Sequence, residues 1–145
     1  MNEPAELSPE KCEELLRASI VGRVAFGTAD GPRITPVNYV TAGDAVVFRT
    51  APESELGRHA GGSRLAFEID HFDYETHTGW SVMVQGRAEV VTDPAEVRRL
   101  KQVWAPRPWA EGSRNLYVRI PWTELSGRSL GGNLSTPVRR VVTAS

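Results

Sequence analysis

Apolar and polar residues alternate most regularly from Gly79 to Val91. Val82, Val84, Ala88 and Val90 fall on one side, and Met83, Gln85, Arg87 and Glu89 on the other. A period of two with one apolar face predicts a half-buried strand, here long enough to bend through two parts of a barrel wall. Gly86 interrupts it at a place suited to a bulge or a close backbone approach. The same alternation predicts strands over residues 21–28, 33–41, 45–50, 64–70, 115–120 and 124–130, with Leu65, Phe67 and Ile69 sharing one face of the fourth. Clusters of Gly, Pro and Asp between these runs mark the turns of a meander or barrel. Pro36 cannot donate to a ladder, so its strand is expected to be an edge there, or to leave its partner to face a ligand.

Helical spacing occurs in three places. Ser8-Pro9-Glu10 is an N-cap, a first-turn proline and an early acid, followed by Cys12, Leu15, Leu16 and Ile20 on one stripe. Residues 51–60 form a short helix or helical turn ending at Gly61-Gly62. Asp93-Pro94-Ala95-Glu96 is a capping box, and Val97, Leu100 and Trp104 share the face that follows. The expected fold is mainly β with flanking helices (α+β), with six to seven antiparallel strands. One domain is expected over residues 1–145, with its core in 8–130 and a loose tail from 131.

Composition narrows the setting. At 145 residues and 40% hydrophobic content, the chain can bury a real core. Seventeen basic and eighteen acidic residues leave a formal charge of -1, so neither nucleic acid nor an anionic membrane is an expected partner. A single cysteine rules out an intramolecular disulfide framework and fits a reducing cytoplasm. Cys12 lies on an apolar stripe and reads as a small buried hydrophobe. No apolar leader and no run of spanning length is present, so a soluble cytoplasmic domain is expected.

Candidate chemistry is sparse. Arg49-Thr50, at a strand end before a helical turn, offers a guanidinium, a hydroxyl and free amides to an anion; a solvated strand end explains it equally well. Trp80-Ser81 offers a stacking ring and a hydroxyl, although a core or interface tryptophan is the simpler reading. His71, Asp73, Glu75 and His77 alternate as metal ligands could, yet a solvated polar turn accounts for them better, and no metal is expected. Gly127-Arg128-Ser129-Leu130-Gly131 matches a nucleophile-elbow spacing by chance, since no histidine follows it. Neither nucleotide-binding glycine motif occurs. These residues reach as far as a β-barrel with a plausible anion site.

Together these segments resemble the FMN-binding split β-barrel, or pyridoxamine 5'-phosphate oxidase-like, superfamily, especially its small actinobacterial-type members. The likeness is carried by Val21-Gly22-Arg23-Val24-Ala25, Ile34-Thr35-Pro36-Val37-Asn38-Tyr39, Val47-Phe48-Arg49-Thr50, and Ala66-Phe67-Glu68-Ile69-Asp70 leading into residues 79–86. Pro108-Trp109 and Ser126-Gly127-Arg128 follow in order. The resemblance implies a homodimer with FMN sites at the subunit interface. It places the backbone of Pro36, Val37, Asn38 and Tyr39 beside the flavin ring, and the phosphate at Arg49, Thr50 and the turn through Ser54. Trp80, Ser81, Trp109 and Arg128 would approach the cofactor, partly from the other subunit. The implied activity is a flavin-dependent oxidoreductase. The alternatives within the fold are a deazaflavin-dependent reductase and a non-catalytic flavin-binding or decayed-site protein that holds no cofactor tightly. One departure favours the last: members commonly carry Lys or Arg about five residues after the Thr, whereas Glu55 stands here. A carboxylate facing a phosphate repels it unless it turns away, with Arg58 or Arg64 as substitute charges.

Overall fold

The alternating runs do become one antiparallel sheet. The computed structural model describes residues 4–104 and 116–131. In chain order the elements are β1 (Pro4–Glu6), α1 (Pro9–Ala18), β2 (Val21–Thr28), β3 (Gly31–Thr41), β4 (Ala45–Thr50), α2 (Glu55–Ala60), β5 (Arg64–Asp73), β6 (Thr78–Arg87), β7 (Glu89–Val90), α3 (Pro94–Val103), β8 (Leu116–Pro121) and β9 (Glu124–Leu130). The strands lie in the order β1-β9-β6-β5-β2-β3-β4-β8-β7. The sheet rolls around one apolar interior as a mainly β split barrel with flanking helices.

Nine strands among the described residues exceed the six or seven expected, for two reasons. β1 is three residues long, too short to show a period, and is defined only by pairing with β9. The long run to Val91 is also two strands. At Ala88 the chain leaves the ladder: its N–H donates to the Ser63 carbonyl at 2.8 Å, and its carbonyl accepts from Gly62 at 2.9 Å. β6 therefore lies between β5 and β9, while β7 pairs with β8. Gly86 marks a close approach, because a Cβ there would sit 2.2 Å from the carbonyl oxygen of Pro121.

Two other expectations shift. Half of the polar connection from His71 to Thr78 is strand, since β5 and β6 stay paired out to Asp73 and Thr78 and only residues 74–77 form the turn. Ile20 falls beyond α1 and is 43% exposed, so the helix buries Cys12, Leu15 and Leu16 without it. Trp109, Asn115 and the tail from residue 132 lie outside the described residues.

The inward positions of both halves of the sheet form the main core. Val24, Phe26, Tyr39, Phe48, Phe67, Val82, Val84, Val118 and Ile120 meet α1 and the Leu56–Ala60 face of α2 there. A second core sits on the opposite face of β4 and β8, where α3 lays Leu100 and Trp104 on Val47 and Tyr117. β4 is thus buried on both sides, from Ala45 through Phe48.

The ladder has one break between β3 and β4. β3 pairs with β2 along its full first part, from Gly31 to Asn38. It pairs with β4 only through Tyr39, Val40 and Thr41, opposite Phe48, Val47 and Val46. Arg49 and Thr50 continue on β8 alone. β3 and β4 therefore splay apart just where Pro36 lies.

Candidate functional site

The splayed region exposes backbone. Tyr39 donates its N–H to the Ile20 carbonyl at 3.0 Å, which sets the odd-numbered residues of β3 facing β2. Antiparallel alternation then turns the backbone groups of Ile34, Pro36 and Asn38 toward the opening. Pro36 loses no ladder bond at this position, which explains how a proline sits inside an eleven-residue strand. It also leaves a lone carbonyl there, between two residues that carry both donor and acceptor.

Across the opening lies the turn after β4. Thr50 Oγ1 and Ser54 Oγ are 2.9 Å apart. Ser54 also donates to the Ala51 carbonyl at 2.7 Å and accepts from the Gly57 N–H at 3.0 Å, which fixes the hydroxyl pair at the cap of α2. Beside it, Arg33 Nε is 3.2 Å from Glu55 Oε1. The carboxylate that the sequence set against a phosphate is thus paired. Of the substitutes named from the sequence, Arg64 pairs with Glu124 at 2.6 Å, whereas Arg58 donates to the Glu53 carbonyl in the same turn and keeps its charge beside it. Sequence reasoning missed Arg33. Its signal was an arginine in register with the inward-facing Thr35, Val37 and Tyr39 of one strand.

The other named residues divide between faces. Arg49 and Thr50 are adjacent on a strand and so point oppositely. Arg49 lies on the α3 side, its guanidinium carbon 5.5 Å from the Trp104 ring centroid, a cation–π contact. Tyr39 and Val37 face the core. The Tyr39 hydroxyl donates to the Leu16 carbonyl at 2.6 Å, its ring meets Phe67 edge-on, and burial pushes its pKa up. Trp80 is buried beside His71. Pro36, Asn38, Ser81 and Arg128 take the outer face of the sheet, where Ser81 and Arg128 are register partners. Asn38 and Ser81 are separated by β2 and β5. One copy of the chain therefore gathers Ile34–Asn38, Thr50, Ser54 and Arg33 at the opening, but not Ser81 or Arg128.

The His71–His77 turn is held by its own backbone. Asp73 Oδ1 accepts from Glu75 and Thr76, and these bonds, Thr76 first, hold its carboxyl below the usual range. Among the described residues no group of three or more His, Cys, Asp or Glu is placed to hold a metal. No helix there is long and apolar enough to cross a membrane.

Comparison with known proteins gives this architecture its family. The model of the pyridoxamine 5'-phosphate oxidase family matches residues 8–129. The chain belongs to that family. It is 31% identical over 140 residues to an uncharacterized protein of Mycobacterium tuberculosis, covering 93% of this chain and 91% of that one. Among solved structures it is similar to the FAD binding protein from Mycobacterium smegmatis, with 30% identity, a TM-score of 0.71, and coverage of 87% of this chain and 98% of that one. A conserved protein of unknown function from Corynebacterium diphtheriae matches at 32% identity and a TM-score of 0.71, covering 88% and 98%.

Proposed function

We propose that the protein is a flavin-dependent oxidoreductase that works as a homodimer in the cytoplasm, with FMN lying along the open edge of β3. The observation that carries this reading is the break between β3 and β4. Among the described residues it leaves an unpaired strand edge of alternating donors and acceptors, beside two fixed hydroxyls and an arginine. Backbone groups at Ile34, Pro36 and Asn38 would hold the polar rim of a flat heterocycle. Thr50, Ser54 and Arg33 would hold its phosphate, and the pairing of Arg33 with Glu55 removes the repulsion that favoured a decayed site.

Such a cofactor supplies the electron chemistry when bound, and the chain orients it and excludes water. No acid–base pair is needed from the protein for that role. The homodimer is supported by the division of the site, because Ser81 and Arg128 can reach a cofactor at the opening only from a second copy. The Mycobacterium smegmatis neighbour, named as an FAD binding protein, supports a second reading in which the same headgroup site takes FAD. The test is anaerobic reduction. Protein carrying FMN should bleach with a nicotinamide hydride donor or a chemical reductant, and regain its visible absorption with an electron acceptor. A bound flavin that is reduced but passes its electrons to no acceptor would point instead to storage. Bleaching and recovery seen only with the deazaflavin would move the assignment to that cofactor.

A further inference from the structure

The turn across the opening from β3 has already engaged its hydroxyl hydrogens. Ser54 has one, and it goes to the Ala51 carbonyl at 2.7 Å. In the 2.9 Å contact between Thr50 Oγ1 and Ser54 Oγ, Thr50 is therefore the donor. What remains available at the pair is the lone pairs of Thr50 Oγ1, which accept hydrogen bonds and give none. Glu55, the next residue, is an acceptor too. Its side chain is 43% exposed, so the carboxylate keeps acceptor capacity beyond its contact with Arg33 Nε.

The rim is also balanced in charge. Arg33 and Arg58 set two positive charges at this turn, and Glu53 and Glu55 set two negative ones. A fully ionised phosphate monoester brings about two negative charges and offers only acceptor oxygens, and its second pKa is near 6. The same group with one proton kept brings a single charge and an O–H donor. That second form complements a neutral rim of acceptors, whereas the first leaves a charge unmatched beside a carboxylate.

We propose that Glu55 selects the singly charged form of the flavin phosphate, with one proton held between that phosphate and the Glu55 carboxylate, so that binding FMN at neutral pH takes up a proton from the buffer. The proposal rests on the reading of the opening as a flavin site and adds the charge state that the site accepts. Arg33 holds the carboxylate in place, and Glu55 becomes the residue that sets specificity. FAD carries one charge on each phosphate and has no phosphate proton that titrates near neutrality, so its binding takes up none.

Other charges on the neighbouring elements lie elsewhere or act on both cofactors. Arg49 of β4 stacks on Trp104, Arg23 of β2 is taken by Glu68 and Asp70, and Asp30 sits in the β2–β3 turn. His59 Nδ1 is 2.8 Å from the Glu55 carbonyl, and its ring lies beside Phe26 of β2. Burial foremost lifts the Glu68 carboxyl to about 7, on the outer face of β5 with β2 between it and β3. Protonation of His59 or Glu68 changes the surroundings for FMN and FAD alike.

The test uses the full chain with FMN, FAD and riboflavin. Fluorescence-quench titrations at pH 5.5 and pH 7.5 give the affinities, and calorimetry at pH 7.5 in buffers of different ionisation enthalpy gives the protons taken up. FMN should bind about fivefold or more tightly at pH 5.5, with about one proton taken up per FMN at pH 7.5; FAD and riboflavin should show neither effect. Glu55→Gln should abolish the uptake and tighten FMN about fivefold at pH 7.5. Glu55→Lys should reverse the preference, so that FMN binds more tightly at pH 7.5. An FMN affinity that ignores pH, or moves together with that of FAD, overturns the inference and leaves the flavin site standing, as does proton uptake that survives Glu55→Gln. No saturable quench with any of the three flavins overturns the reading of the site as well.

Discussion

At the scale of single residues, Arg33 decides whether the opening suits an anion. Glu55 alone would repel a phosphate; paired through Nε, it becomes part of a neutral rim. Arg33→Ala should weaken FMN binding about tenfold or more in a fluorescence titration. It should change the unfolding free energy from urea titration by less than about 1 kcal/mol, as expected for a half-exposed ion pair. Equal loss of both would make Arg33 a structural residue. Tyr39 shows the opposite division. Its hydroxyl is spent on the Leu16 carbonyl inside the core, so Tyr39→Phe should cost about 1 kcal/mol in urea unfolding while flavin affinity stays unchanged. Pattern alone could not separate these two roles. Val37 and Tyr39 alternate inward just as Arg33 does, and only the break from β4 distinguishes the open end of β3 from its packed end.

At the scale of elements, the alternation of apolar positions carried most of the fold. The capped starts of α1 and α3 lie where Ser8 and Asp93 predict them, each side chain accepting a first-turn N–H. Pro36 marked the open edge in advance, since a proline needs one side of its strand free. What local pattern could not carry was pairing at a distance. The run through Gly86 keeps its period across Ala88, but the chain there turns to bond Gly62 and Ser63. Gly86 is held by the approach of the Pro121 carbonyl. Backbone cannot move aside as a flexible side chain can, so Gly86→Ala should cost about 1–3 kcal/mol by thermal or urea unfolding. No change in stability would mean that β6 and the end of β8 are less closely packed than described.

At the scale of the whole molecule, the barrel is one sheet used three ways. Its inner side is core, the far side of β4 and β8 is closed by α3, and among the described residues no helix covers the outer side of the remaining strands. The candidate site was partly legible in the sequence. Thr50 and Ser54 do meet, and the backbone of Pro36 and Asn38 does face the opening, but Ser81 and Arg128 lie in a cross-strand row whose place needs the strand register. Non-local register also hid the Arg23–Glu68–Asp70 cluster, whose members stand 45 and 47 residues apart in the chain.

The central claim is that the open edge of β3 holds a flavin. The most direct measurement is a fluorescence-quench titration of FMN and FAD with the purified full chain. Saturable binding in the micromolar range or tighter, approaching one flavin per chain and weakened by Arg33→Ala, is the predicted result. No saturable quench with either flavin at tens of micromolar would contradict the account.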